Sequence, residues 1–163
     1  VPPLPQDHLL NPGFENGLHD WHELYGAPAL LISQPHSGTY SAGKAVTGVG
    51  AQDYWSQIYQ ELGCQPAQQV TASVWVDPSF PSGAQGKGGL IIEFLNASGQ
   101  VIGTPATVDV GGNGSWTQLS LANQVAPAGT AQVRVSGFLY APMGDVASVN
   151  YGVLYDDFQV TVQ

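Results

Sequence analysis

Positive charge is almost missing from this chain. Lys44, Lys87 and Arg134 are its only Lys and Arg residues, against 12 Asp and Glu, for a formal net charge of −9. Nucleic-acid binding needs clustered Lys and Arg to neutralise phosphates, so that class of partner is excluded. An anionic membrane surface is a poor partner for the same reason. Anionic polysaccharides are disfavoured unless a metal ion intervenes. Charge of either sign is scarce: Asp, Glu, Lys and Arg make up 9% of residues, against about 25% in an ordinary globular domain. Disorder does not follow, because 43% of residues are hydrophobic and they are patterned.

Cysteine is nearly absent too. Cys64 stands alone, so no internal disulfide forms, and it reads as a small turn or strand-end residue. A chain of 163 residues buries a sizeable core without such staples, which leaves a secreted, extracellular setting open. No run is long and apolar enough to read as a membrane span. Val1-Pro2-Pro3-Leu4-Pro5 reads as the end of a proline-rich linker. Residues 1–7 are therefore expected to be a linker remnant and residues 8–163 one domain, a module excised from a longer chain.

Turn chemistry is abundant instead, with 21 Gly and 12 Pro. Apolar residues recur at every second position in short runs closed by Gly, Pro, Asn or Ser, and no segment reads as a helix. Strands are expected over 8–10, 21–24, 29–33, 43–48, 54–62, 69–77, 89–95, 101–103, 106–110, 116–124, 131–140 and 149–162. Many short strands at this spacing predict an all-β fold, a β-sandwich jelly roll of two antiparallel sheets with a concave ligand face.

Alternation separates the two faces of each strand. Val70, Ala72, Val74 and Val76 share one face, with Trp75 and Asp77 opposite. Ile58, Gln60 and Leu62 share a face, with Trp55, Gln57, Tyr59 and Glu61 opposite. Leu90, Ile92 and Phe94 read as core, with Glu93 on the other side. Val133, Val135 and Leu139 oppose Arg134, Phe138 and Tyr140. Several strands thus carry a second face that mixes aromatic with hydrogen-bonding residues. A face that meets only water has little reason to hold them. Either it binds a ligand, or a loop or neighbouring domain covers it.

The order of motifs resembles the carbohydrate-binding modules of families 4, 9, 16 and 22. The opening Asn, Gly-Phe-Glu, Gly and Trp read here as Asn11, Gly13-Phe14-Glu15, Gly17 and Trp21. A Ser-Gly segment before a strand reads as Ser37-Gly38. A Gln-bearing strand reads as Tyr59-Gln60-Glu61-Leu62, a Ser-x-Trp strand as Ser73-Val74-Trp75, a Trp-Thr start as Trp116-Thr117, and the closing Asp-Asp as Asp156-Asp157. The resemblance spans residues 8 to 163. It implies that the termini lie side by side, tied by a structural calcium. The ligands carried over are Glu15 and Asp156, the carbonyl of Gly13 and carbonyls around Ser37 and Tyr40. Calcium takes six to eight oxygens, which suits that set. Strand alternation turns Asp157 away and ranks it second.

For the ligand, Trp55 and Trp75 are expected to stack on sugar rings, with Tyr59, Phe138 and Tyr140 as secondary platforms. Gln57, Glu61, Asp77, Glu93 and Arg134 are expected to bond hydroxyls. Arg134 has a plainer reading as the partner of a nearby carboxylate. Trp21 and Trp116 match positions that pack structurally in such folds. A glycosidase is the enzymatic alternative: it needs two carboxylates about 5–5.5 Å or 6.5–9.5 Å apart, and Glu61, Asp77 and Glu93 on adjacent strands of one sheet offer a pair. An interface module that packs on a catalytic neighbour is the third class. The expectation is a noncatalytic, monomeric, secreted module. It binds a neutral polysaccharide, β-glucan first and then xylan or mannan, and targets a covalently linked glycan-degrading catalytic domain.

Overall fold

The structure, a computed structural model, describes residues 6–47, 51–145 and 150–163. Residues 1–5 of the expected linker and part of the segment 141–149 lie outside them. The strands are β1 (His22–Leu24), β2 (Leu30–Ile32), β3 (Ser41–Thr47), β4 (Tyr54–Gly63), β5 (Gln69–Ser79), β6 (Lys87–Leu95), β7 (Val101–Val110), β8 (Thr117–Val125), β9 (Gln132–Ala141) and β10 (Asn150–Val162). They form two antiparallel sheets of five: a front sheet ordered β1-β4-β9-β6-β7 and a back sheet ordered β2-β3-β10-β5-β8. The expected all-β sandwich is what the chain adopts.

The inward residues follow the alternation. Val70, Val74 and Val76 of the back sheet, and Ile58, Leu90, Ile92, Val133 and Leu139 of the front sheet, are all nearly solvent-free. Each such side chain contributes about 1.5–3 kcal/mol on burial, so this layer holds the sheets together. Tyr155 of β10 crosses it. Its hydroxyl donates to the Phe138 carbonyl of the opposite sheet, and its ring fills the space above Gly137, where a Cβ would sit 2.8 Å from the ring.

Two expected elements differ. The segment 8–10 is not a strand. The Gln60 side chain takes the place of a strand partner, accepting from Leu10 N at 3.0 Å and donating to Leu10 O at 2.6 Å. Gln6, inside the expected linker, touches the sandwich: its carbonyl accepts from Gly63 N. The expected strands 101–103 and 106–110 are one strand, β7, with a register shift opposite Ile92 and Phe94. Gly103, with φ of 71°, carries the local irregularity that reads in the sequence as a break.

The termini do lie side by side. Phe158 N bonds Pro12 O at 3.1 Å. Trp21 packs against Phe14 and Phe158, with centroids at 5.0 and 4.6 Å, while its indole N–H donates to Asn11 O. The Asn11 side chain holds the opening loop closed by bonding Gly17 O, His19 O and Asn16 N. The Asn, Gly-Phe-Glu, Gly, Trp order is therefore a single loop motif whose aromatic residues plug one end of the core.

The Lys44 side chain points inward. Lys44 lies opposite Val153 in the β3–β10 register and is 1% exposed. Its ammonium donates to Glu23 Oε1 at 2.8 Å and Ala27 O at 2.9 Å. The same Glu23 oxygen accepts from Ala29 N. This pair joins β1 of the front sheet to β3 of the back sheet.

Candidate functional site

The outward face of the front sheet gathers most of the expected ligand residues. The registers of β4, β9 and β6 arrange them in cross-strand rows. Trp55 lies opposite Tyr140, which faces Lys87. Gln57 lies opposite Phe138, which faces Gly89. Tyr59 lies opposite Ser136, which faces Ile91. Glu61 lies opposite Arg134, which faces Glu93. Aromatic residues thus occupy one end of the face and an acid–base–acid row the other.

At the aromatic end, Trp55 stacks flat on Phe138, with centroids 4.7 Å apart and planes at 11°, and meets Tyr140 at 5.9 Å. Phe138 is only 3% exposed. It supports Trp55 and offers no free ring of its own, which changes its expected role from platform to backing. Gly89 makes that possible: a Cβ there would stand 2.5 Å from the Phe138 ring and 2.3 Å from the Val108 carbonyl. The sequence reading missed Gly89 as a site residue, although a glycine inside a strand signals close approach of a neighbour. Gly89→Ala is expected to destabilise the domain by about 1–3 kcal/mol and to alter the near-UV circular dichroism of Trp55 while leaving the far-UV spectrum intact. An unchanged melting curve with an unchanged aromatic signal would contradict this packing.

At the polar end, Arg134 donates from Nε (3.0 Å) and Nη2 (2.8 Å) to Glu61 Oε1. Its Nη1 stands 3.5 Å from Glu93 Oε2, and its Cζ lies 4.8 Å from the Tyr59 ring centre. Burial pushes the Glu93 carboxyl above its ordinary value, and the Arg134 guanidinium offsets part of that. Glu93 Oε2 and Ser136 Oγ are buried without a hydrogen-bond partner among the described residues. Buried polar atoms are nearly always paired, so Ser136 Oγ, with no partner, and Glu93 Oε2, with only its long ion pair to Arg134, mark a place for hydroxyl groups or water. Ser136, in the row beside the acid–base–acid row, was also missed by sequence reasoning, and a lone serine on a strand gives no signal.

Trp75 and Asp77 do not join this face. They sit on β5 of the back sheet. Alternation correctly turns both outward, but it cannot say which sheet a strand enters. The expected trio of Glu61, Asp77 and Glu93 on one sheet is therefore split, and the alternative pair is Glu61 and Glu93, with Arg134 between them. Trp75 is covered: the His36 ring lies flat on it at 3.9 Å, and Trp116 meets the same imidazole edge-on at 5.7 Å. Trp75 carries the 36–40 loop.

That loop gathers three carboxylates. Glu15 Oε1 accepts from Thr39 N and Tyr40 N at 2.9 and 3.0 Å, which holds its carboxyl below the ordinary value. Gly38 allows the approach, since a Cβ there would be 2.5 Å from Glu15 Oε1. Asp156 accepts from His36 N, Ser37 N and Asp157 N. It is fully buried, and burial pushes it up to about 6 despite those bonds. Asp157 also turns to this loop, bonding His36 Nδ1 at 2.7 Å and Ser37 Oγ at 2.8 Å. Simple alternation would send it away. A register shift between Asp156 and Gln159, with Asp157 at φ of 50°, brings it back. The Gly13 position is close to both aspartates: a Cβ there would lie 3.4 Å from Asp157 Oδ1 and 3.6 Å from Asp156 Oδ1.

No Lys or Arg compensates this cluster. Lys44 pairs with Glu23, Lys87 with Asp109, and Arg134 with Glu61 and Glu93. Among the described residues no group of three or more His, Cys, Asp or Glu side chains stands ready to hold a metal. A bound cation would thus have to draw part of its shell from main-chain carbonyls. Buried acid oxygens and loop carbonyls are hard donors of the kind calcium takes, so the residues present fit such an ion in charge and type.

No family model matches the sequence, and no curated protein matches it. Solved structures do match the fold. One is a family 61 carbohydrate-binding module in complex with β-1,4-galactotriose, with TM-score 0.63 and 19% identity over 97% of this chain and 99% of that one. A second is the family 22 module and catalytic module of Clostridium thermocellum xylanase 10B complexed with xylohexaose, with TM-score 0.63 and 20% identity over 96% of this chain and 29% of that one. A third is the enzymatically active domain of tailspike protein 4 of bacteriophage CBA120, with TM-score 0.70 and 11% identity over 96% of this chain. The chain spans about a fifth (21%) of the tailspike chain. The fold is the jelly-roll β-sandwich of carbohydrate-binding modules, shared with families 16, 22 and 61.

Proposed function

We propose that the protein is a noncatalytic glycan-binding module whose front-sheet face binds a neutral polysaccharide chain. The observation that carries this reading is the joint placement on one face of the Trp55 platform and two buried oxygens without a hydrogen bond, Ser136 Oγ and Glu93 Oε2, the latter ion-paired with Arg134. A pyranose lays its C–H face on an indole and needs donors and acceptors for its hydroxyls beside it. Tyr59, Glu61, Arg134 and Tyr140 supply them, while Gln57, expected to bond hydroxyls, is 2% exposed and backs the face as Phe138 does. The scarcity of cations favours a neutral ligand, and β-glucan comes before xylan or mannan. Arg134 lies between Glu61 and Glu93 and pairs with both, where a hydrolase would need room for the scissile bond. Attachment to a glycan-degrading catalytic domain outside the cell would raise that domain's local concentration on its substrate. Affinity electrophoresis in gels containing β-glucan, xylan, mannan or pectin tests the reading. Retardation by a neutral glycan, with no reducing sugar released, supports it; free migration in every gel contradicts it.

Calcium is part of the same proposal. Glu15, Asp156 and the main-chain oxygens of Gly13, Ser37 and Tyr40 would hold it, with Asp157 beside them. Its role would be structural, joining the opening loop to β10. At a calcium concentration about a hundred times the dissociation constant, the ion would add about 2.7 kcal/mol. A chelator is then expected to lower the melting temperature by about 5–10 °C, and Glu15→Ala to abolish that response. Identical melting of the wild type with and without chelator would remove calcium from the account.

A further inference from the structure

We propose that the outer face of the back sheet holds a second pocket, which takes a single neutral sugar residue independently of the front sheet. The cavity measures about 270 Å³, just under the range of about 300–1,000 Å³ for drug-sized ligands, so it has room for one ring. The strand registers explain how it forms. Leu30, Gly43, Leu154 and Asp77 make one cross-strand row over β2, β3, β10 and β5. Ala45, Gly152 and Ser79 make the next, and Ser79 pairs with Asn113 beyond the sheet edge. Gly43, Ala45 and Gly152 lower the floor, while Leu30, Ile32, Leu154 and Asp77 stand around it.

The lining has two chemistries. Leu30, Ile32 and Leu154 are aliphatic and suit the C–H face of a pyranose. Gln34, Asp77 and Asn113 bring amides and a carboxylate from the other directions. None of these three side chains bonds another described residue, and burial raises the Asp77 carboxyl above its ordinary value. Lys44, the one cation in the lining, spends its ammonium on Glu23 and Ala27 instead. A sugar hydroxyl both donates and accepts, so it satisfies a carboxylate and two amides together. An alkylammonium only donates and would leave both amide NH₂ groups idle.

Gly152 offers a clean block. A Cβ there meets only Ser79 Cβ at 4.0 Å, so Gly152→Leu fills the cavity without a backbone clash. The test is a titration of the ¹⁵N-labelled protein with methyl β-D-glucopyranoside, methyl β-D-xylopyranoside and methyl β-D-galactopyranoside, reading the amides of Gly43, Gly114 and Gly152. At least one glycoside is expected to shift them in the wild type and equally in Trp55→Ala. Gly152→Leu is expected to abolish the response at Gly43 and Gly114, and Asp77→Asn to weaken binding about tenfold. The proposal is overturned by no response to any glycoside, by a response that survives Gly152→Leu, or by a response to n-butylammonium chloride in place of the sugars.

Discussion

Trp55→Ala is expected to weaken glycan binding by at least about 30-fold, or about 2 kcal/mol, and to leave the fold intact. The indole rests on Phe138, which rests on Gly89, so the platform is a stack whose outer member, Trp55, is half-buried. Removing that outer member takes away the stacking surface and leaves the inward layer of β4 untouched. Isothermal titration with the oligosaccharide of whichever glycan is retained in the gels gives the affinity. Far-UV circular dichroism and thermal melting check the fold. Undiminished affinity in a folded variant would move the site off the aromatic end of the front sheet. Trp75→Ala serves as the contrast: it should loosen the 36–40 loop but spare the affinity, because His36 covers that ring.

Glu23→Ala is expected to cost about 3 kcal/mol of stability, a fall in melting temperature of about 6–12 °C. The asymmetry of the pair decides which partner to remove. Lys44 is 1% exposed and Glu23 39% exposed, so the carboxylate can reach water alone but the ammonium cannot. Without Glu23, only the Ala27 carbonyl remains for it. Replacing both partners, Glu23→Leu with Lys44→Met, is expected to recover most of the loss, because a buried pair seldom exceeds a packed hydrophobic pair in stability. Burial raises the Glu23 carboxyl, but the Lys44 ammonium and the Ala29 N–H more than offset it, so the net shift is downward from 4.5. A lowered carboxyl stabilises fully above its unfolded value and loses that contribution as pH falls through its folded one. The wild type should therefore lose a component of stability below about pH 4.5 that the double variant lacks. Equal melting of Glu23→Ala and wild type would show that the ion pair is not a structural tie.

Much of this was legible because the apolar residues of the core strands recur at every second position. Val70 to Val76, Val133 to Leu139 and Leu90 to Phe94 each name their own inward face, and a period of two leaves little choice. The opening and closing motifs were legible because Asn11, Trp21 and the Asp pair act through local loop geometry. Sheet membership was not legible. β4 and β5 adjoin in sequence, carry the same pattern and enter different sheets, so Trp55 and Trp75 looked equivalent and face opposite ways. Asp157 was misdirected because a bulge leaves no mark in the residue types around it. Phe138 and Gly89 show the same limit at closer range: alternation gives the side of the sheet but not which ring lies on top. The burial of Lys44 was not legible either, because its partner Glu23 is distant in sequence and becomes a neighbour only when the sheets close.

The most direct test of the glycan-binding account is a map of the bound ligand on the protein. Chemical shifts of the ¹⁵N-labelled domain should be followed as the oligosaccharide retained in the gels is added, including the Trp55 indole N–H, the Gln57 side-chain amide and the Arg134 Nε–H. The account predicts that these three signals move together and saturate at one dissociation constant. Saturable shifts confined to back-sheet residues, with Trp55, Gln57 and Arg134 still, would contradict it.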